Sequence, residues 1–293
     1  MSASPVTPAL RDRLMTTFRA YLCEKIDFVP FQHQAAWWAS TDGQVLGPDD
    51  TGPHTMTVRL PSRRVVARTI TPRPQGRARV VADLGAYKSG KSAGAGIWAA
   101  AFAAVPGAVV YLVGNEYDMC APEFEYLLDA LCAERGLGQG YRTLQNRPKD
   151  GRMWLELENG ARFEARSWER AESLKGKEVD AYVYCEAYQL PGIECFTSVA
   201  QNLRVREGYA VFPTTPDRPW VQTLHDHGHD DPDFPAWVCH CGIPASVNPY
   251  SFDQAAMDRD QHLLTREKFA IAYLGTLGAV SYTHLTLPTI YSV

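Results

Sequence analysis

The stretch Gly85-Ala86-Tyr87-Lys88-Ser89-Gly90-Lys91-Ser92 fits G-x-x-x-x-G-K-[ST] in full, and it constrains the fold more than any other feature of the chain. Such a loop needs a strand to lead into it and a helix to leave it. The flanks read that way: ARVVADL (78–84) is an apolar run of strand length, and KSAGAGIWAAAFAAV (91–105) is a small-residue, apolar run of helix length. The glycines let backbone N–H groups turn inward around phosphate oxygens, and the helix start adds its positive end. Lys91 is placed to reach β- and γ-phosphates, and the Ser92 hydroxyl to ligate Mg²⁺. Residues 85–92 are therefore the expected nucleotide cradle. Lys88 adds a second cation, which either leans on the γ-phosphate or pairs on the surface.

Around this loop the signals alternate. AVVYLVG (108–114), DAYVYCEA (180–187) and YAVFPTTP (209–216) read as buried strands, and PEFEYLLDALCAE (122–134) as a helix. RMWLELENGARFEARS (152–167) reads as a hairpin turning at Asn159-Gly160. The order predicts an α/β fold, a mostly parallel sheet flanked by helices. Upstream, residues 9–25 carry apolar positions at helical spacing, and a short helix is expected after Pro30. Residues 41–58, rich in Gly, Pro and Asp, read as a loop. Residues 59–79 hold seven arginines (Arg59, Arg63, Arg64, Arg68, Arg73, Arg77, Arg79) and no acid, which is either a DNA or phosphate patch or a solvated hairpin with basic edges. The net charge of -4 excludes a generally basic nucleic-acid coat, so any such contact is local. No apolar run reaches the ~18 residues that span a bilayer, no apolar signal segment opens the chain, and seven cysteines at irregular spacing argue against a disulfide framework. From Val280 the sequence VSYTHLTLPTIYSV has no charge and no period; it resembles translated adapter or vector read-through and is set aside, the alternative being a genuine tail.

DAYVYCEA closes on Glu186, which suits a base or water-orienting role beside a nucleotide; the plainer alternative is a cap for the next helix. The preceding position, where a Mg²⁺-binding Asp is expected, holds Cys185, a poor partner for a hard cation. Ser92 and Glu186 are the expected metal residues; either Ser92 and the phosphates hold the metal alone or another acid reaches in, with Asp83 and Asp180 as candidates, Asp180 at the wrong end of its strand. Thr214 and Thr215 lie at a strand end where hydroxyls sense a γ-phosphate, or else form a simple turn. His225, His227, His229, Cys239, His240 and Cys241 lack zinc spacing and read as a polar loop followed by a half-buried strand. Trp37 and Trp38 read as core or lid packing.

Together these pieces resemble the ATPase domain of the large terminase subunit of tailed bacteriophages, over roughly residues 20–278. VPFQHQ (29–34) looks like that family's adenine-recognition element, which makes Gln34 the adenine reader. GAYKSGKS looks like its Walker A, with the extra basic residue Lys88. SWERAESLKGKEVDAYVYCEA (167–187) looks like its approach to Walker B, and PTTP (213–216) like its coupling motif. NPYSFDQAAMDRDQHLLTREKFAIAYLG (248–275) resembles the segment after the ATPase core. The resemblance implies a P-loop NTPase of the RecA-like (ASCE) type with small helical N- and C-terminal subdomain elements. Its expected divisions are 1–58 (helical/lid segment), 59–220 (P-loop core), 221–279 (subdomain II and linker toward an absent nuclease domain) and 280–293 (non-native tail).

The function implied is ATP hydrolysis that drives duplex DNA into a procapsid. Lys91, Lys88 and Glu186 would be catalytic; Gln34, Gly85, Ala86, Tyr87, Lys88, Ser89, Gly90, Lys91, Ser92, Thr214 and Thr215 would bind nucleotide; ATP and Mg²⁺ would be the cofactors. Expected partners are duplex DNA, the portal protein, the small terminase subunit and further copies in a ring, with no membrane, in the cytoplasm of an infected bacterial host. Arg166, Arg170, Arg204 and Arg206 are candidate arginine fingers. Cys185 keeps a rival reading open, a nucleotide-binding structural protein with weak turnover. A helicase-like ATPase is the other rival.

Overall fold

The computed structural model describes residues 6–46, 70–72, 76–132, 136–138, 140–229, 231 and 233–277. Five of the seven clustered arginines (Arg59, Arg63, Arg64, Arg68, Arg73) and the 280–293 tail lie outside the described residues.

The helical opening expected from periodicity is α1 (Pro8–Lys25), begun by the Thr7 side chain accepting from the Leu10 N–H, with a proline in the first turn. α2 (Gln32–Thr41) follows Pro30. β1 (Gln44–Leu46) and β2 (Ile70–Pro72) form a small antiparallel pair. The central elements then come in the expected order: β3 (Val80–Gly85), α3 (Lys91–Ala100), β4 (Val109–Gly114), α4 (Ala121–Leu131), β5 (Tyr141–Arg147), β6 (Arg152–Leu157), β7 (Arg162–Ser167), β8 (Ala181–Tyr184), α5 (Glu194–Thr197), β9 (Tyr209–Thr214), α6 (Val221–Gly228), β10 (Trp237–Ile243), α7 (Gln254–Leu263) and α8 (Arg266–Phe269), the last running into a π-helical turn, Ala270–Leu274.

Eight strands form one sheet in the order β10-β3-β9-β8-β4-β7-β6-β5. From β10 to β7 all neighbours are parallel; β6 and β5 add an antiparallel edge. The hairpin turns at Gly160 (φ 84), the left-handed backbone that glycine tolerates. β10, which follows residue 220, pairs in parallel with the P-loop strand β3.

Alternation sorts the central strands onto two faces. Val81, Val110, Leu112, Ala181, Val183, Cys185, Tyr209 and Val211 face the layer holding Trp98, Phe102, Phe124 and Leu127 of α3, its 3₁₀ extension and α4. Val80, Ala82, Leu84, Tyr182, Tyr184, Ala210 and Phe212 face the other layer, with Phe196, Val221 and Leu224. Burial on both faces is why these strands read as continuous apolar runs. Trp37 and Trp38 are each 1% exposed and belong to the first layer, as core packing.

The amino-terminal end of the sheet is closed by ions. Asp180 accepts from Arg206 at 2.7 Å, and Arg11 lies 3.5 Å from it. Arg79 bonds Asp12 at 3.3 Å, and Arg77 lies 3.5 Å from the same carboxylate. The two described arginines of the basic cluster are thus committed to a buried aspartate on α1. All seven cysteines are free thiols.

Candidate nucleotide-binding site

Because β3, β9, β8 and β4 are parallel, the chain leaves all four at one end of the sheet, the position where open α/β sheets bind ligands. The P-loop, Thr214, Glu186 and the start of α4 therefore gather there. Gly90 (φ 94) caps α3 in the left-handed region, and Lys88 (φ 62) shares that conformation without the freedom of glycine. Lys91 is buried and its Nζ donates to the carbonyls of Gly85 at 3.0 Å and Ala86 at 2.6 Å. Burial lowers its pKa, and the carboxylates of Asp83, Glu186 and Glu123 pull it back up. Ser92 is half-buried in the first turn of α3, and the Lys88 and Tyr87 side chains are exposed.

The carboxy-terminal segment grips the loop from outside. Ala86 N–H donates to the Ile243 carbonyl at 2.8 Å and Tyr87 N–H to that of Ala272 at 3.1 Å. The Lys88 carbonyl accepts from Asn248 Nδ2 at 2.7 Å and Ser251 Oγ at 3.0 Å. The amides of Ala86 and Tyr87 are therefore aimed at carbonyls, and a phosphate cradle falls mainly to residues 88–92.

Glu186 follows β8 in the left-handed region (φ 44, ψ 48), a strained conformation of the kind held at functional turns. Its Oε2 is buried without a hydrogen-bond partner. Burial raises its pKa and Lys91 opposes the rise. Thr214 and Thr215 are buried, and Thr214 Oγ1 accepts from the Tyr188 N–H at 2.8 Å.

Cys185 is buried beside Cys120 and Glu123, and burial holds its thiol well above the usual range, so it stays protonated. Of the two candidate acids, Asp180 is excluded: it precedes β8, at the opposite end of the sheet, and is spent on Arg206. Asp83 shares Val81's face of β3 and lies beneath the loop, 3.9 Å from His33 Nε2 and within the field of Lys91. The acid that does reach the Ser92–Cys185 region is Glu123, in the first turn of α4, to which sequence reasoning assigns no role. It is fully buried, with the Ser92 hydroxyl, its own N–H and the Cys185 thiol as polar neighbours, none in full hydrogen-bond geometry. Burial pushes it up to about 7, tempered by the nearby Ser92 hydroxyl. Pro122-Glu123 after a strand reads only as an ordinary helix start; nothing local in the sequence marks it. Hard oxygen donors at Ser92, Glu186 and Glu123 fit Mg²⁺, and the Cys185 thiol does not.

Gln34 is fully buried against the loop. Its Oε1 accepts from Phe31 N–H at 2.8 Å and its Nε2 donates to the Gly90 carbonyl at 2.7 Å. A Cβ at Gly94 would lie 2.9 Å from Gln34 Cγ, so the small residue is what lets α2 sit this close.

Elsewhere, His225 and His227 lie on α6 rather than in a polar loop, because Gln222 ties Asp226 one turn on, at 2.6 Å. The half-buried strand expected after them is β10. Among the described residues no three His, Cys, Asp or Glu are arranged to hold a metal ion. Arg206 is engaged at the far end of the sheet and Arg166 pairs with Glu164; Arg170 and Arg204 are exposed. No helix among the described residues is long and apolar enough to cross a membrane.

No protein-family model and no curated protein matches the sequence. Solved structures do. The large terminase ATPase domain of Thermus phage P74-26 superposes with a TM-score of 0.52 at 17% identity, over 68% of this chain and 88% of that one. The large terminase of another thermophilic bacteriophage gives 0.52 at 13%, over 70% of this chain and 50% of that one. The same protein in complex with ADP gives 0.50 at 12%, over 84% and 53%. This chain therefore has the fold of phage large-terminase ATPase domains, an eight-stranded, mostly parallel sheet flanked by helices.

Proposed function

We propose that this chain is the ATP-hydrolysing motor domain of a phage DNA-packaging terminase. The observation that carries the reading is the gathering of the P-loop, Glu186 and Thr214 at one end of parallel strands, with the Glu186 turn hydrogen-bonded to Thr214. In this reading Lys88, Ser89, Gly90, Lys91 and Ser92 hold the phosphates, with Gly85, Ala86 and Tyr87 forming the base of the cradle. Lys91 exchanges its loop carbonyls for phosphate oxygens, a stronger, charge-assisted bond. Gln34 reads the adenine through the amide capacity that Phe31 and Gly90 leave over. Glu186, whose ionised form Lys91 favours against its burial, orients the attacking water. Ser92 and Glu186 would hold the Mg²⁺ that accompanies the nucleotide, which would supply neutralisation of phosphate charge.

Thr214 and Thr215 sense the γ-phosphate, and the Tyr188–Thr214 bond passes its loss to the segment after β9. Residues 244–277, beyond β10, which touch the P-loop backbone at Tyr87 and Lys88, are the moving part. Duplex DNA is the cargo, the portal protein and small terminase subunit are the partners, a ring of copies is the working form, and the cytoplasm of an infected bacterium is the setting.

The test is the ATPase rate of the chain with and without linear duplex DNA, beside Lys91→Ala and Glu186→Ala. Turnover that DNA stimulates and that both substitutions abolish supports the motor. Cys185 favours a second reading, nucleotide binding without turnover. Tight ATP binding with no hydrolysis under any condition would select it.

A further inference from the structure

The nucleotide reading leaves one position unfilled: Cys185, a buried thiol, stands where a metal-facing carboxylate is expected. We propose that Glu123 supplies that carboxylate from α4, so that the divalent cation accompanying the nucleotide is held by Ser92, Glu186 and Glu123. The inference rests on the nucleotide-binding reading and adds a residue to it.

Topology brings the groups together. Alternation along β8 turns Ala181, Val183 and Cys185 toward the layer of α3 and α4. α4 starts above that strand end, and Glu123 is in its first turn. The two helices are pressed close there: a Cβ at Gly96 of α3 would lie 2.6 Å from the Glu123 carbonyl oxygen. That approach fixes the Glu123 backbone, and its side chain faces Ser92, Cys185 and Glu186, with Lys91 in range.

The state of the carboxylate points to a cation. Glu123 is fully buried; its polar neighbours are the Ser92 hydroxyl, its own N–H and the Cys185 thiol, none of them in full hydrogen-bond geometry and none of them a cation. Buried acids are normally hydrogen-bonded, paired or metal-bound, because an isolated charge is costly to desolvate.

The Cys185 thiol then has a physical reason. An aspartate at 185 would confront Glu123 across the same dry space, and like charges so close resist ionising together. A neutral thiol removes that conflict. The carboxylate has moved from the end of β8 to the start of α4, on the same face of the sheet.

The test uses the full chain, with Mn²⁺ as the metal probe and ADP as the nucleotide. Free Mn²⁺ is read by electron paramagnetic resonance, and ADP affinity in EDTA is the control. Glu123→Gln should weaken Mn²⁺ binding to the ADP-bound protein by about tenfold or more, with metal-free ADP affinity within about twofold of wild type. Adding Cys185→Asp should recover most of the loss by returning a carboxylate to β8. Unchanged Mn²⁺ affinity in a Glu123→Gln protein that still binds ADP overturns the assignment alone. A wild type that binds no ADP, with or without metal, overturns the nucleotide reading and this one with it. A crystal of the wild-type chain with Mn²⁺ and ADP needs no variant to fold: an anomalous peak at Glu123, directly or through one water, supports the proposal, and a peak remote from it overturns the proposal.

Discussion

The N–H of Tyr188 donates to the hydroxyl of Thr214 across 2.8 Å, inside a buried strand end. This joins the turn that carries Glu186 to the strand end that carries Thr214 and Thr215. Thr214→Val keeps the shape and removes the acceptor. A buried N–H left without a partner costs about 1–3 kcal/mol. The expected outcome is a kcat lowered about tenfold with KM for ATP nearly unchanged, since the P-loop itself is untouched. Steady-state kinetics checks it, and an equal rise in KM would place Thr214 in binding.

Gln34 bridges the Phe31 N–H and the Gly90 carbonyl, so it fixes the approach of α2 to the phosphate loop whatever it does with a base. Gln34→Leu fills similar space and orphans both backbone groups. A loss of about 2–4 kcal/mol in unfolding free energy is expected, measured by urea titration without nucleotide. A variant as stable as wild type would mean that neither bond holds α2 in place.

What the sequence makes legible follows from which links are local. The phosphate loop is contiguous, and its strand and helix are declared by the residues on either side, so residues 78–105 can be read from the chain alone. The Asn159-Gly160 hairpin is equally local. β5 escapes such a reading because YRTLQNR is an edge strand, mostly exposed, with no alternating apolar face to betray it. Glu123 escapes it for a different reason. Its environment is assembled from Ser92 on α3 and Cys185 after β8, which only the sheet order brings together. Asp180 and Asp83 show the converse: strand register alone puts one at the wrong end and leaves the other under Lys91, beside His33.

Asp83 makes the chain's stability depend on pH. Burial pushes its carboxyl from 3.8 up to about 7, against the pull of Lys91. The folded state thus holds this proton more tightly than the unfolded state. The stability it contributes is full below about 3.8 and is lost as pH rises through about 7. His33, lowered to about 3 by burial, acts in the opposite sense, its stability being lost as pH falls. Comparing wild type with Asp83→Asn largely cancels the histidine. The variant should gain on wild type between about pH 5 and pH 8 by a few kcal/mol, at about 1.4 kcal/mol per pKa unit, in urea titrations without nucleotide. A difference that does not change with pH would mean that Asp83 is already ionised in the folded chain.

Gly275 ends the π-helical turn in the left-handed region (φ 65), and a Cβ there would lie 2.6 Å from the Ala86 amide nitrogen and closer still to the Ile243 carbonyl oxygen. The contact is backbone on both sides, so no side chain can swing aside to relieve it. Gly275→Ala therefore adds the left-handed penalty of about 1–2 kcal/mol to a clash that only retreat of the segment can remove. Retreat breaks the Tyr87 N–H to Ala272 carbonyl bond, while β3, β8 and β9, buried on both faces, keep their ladder. The expected signature is local: faster hydrogen exchange at the Tyr87 amide, with protection at Val81, Val183 and Val211 unchanged. If the 244–277 segment transmits hydrolysis through this grip, DNA-stimulated turnover should fall in the variant while ATP binding persists. Exchange that accelerates equally in the central strands would instead show that the segment is part of the folding core and not a separately moving element.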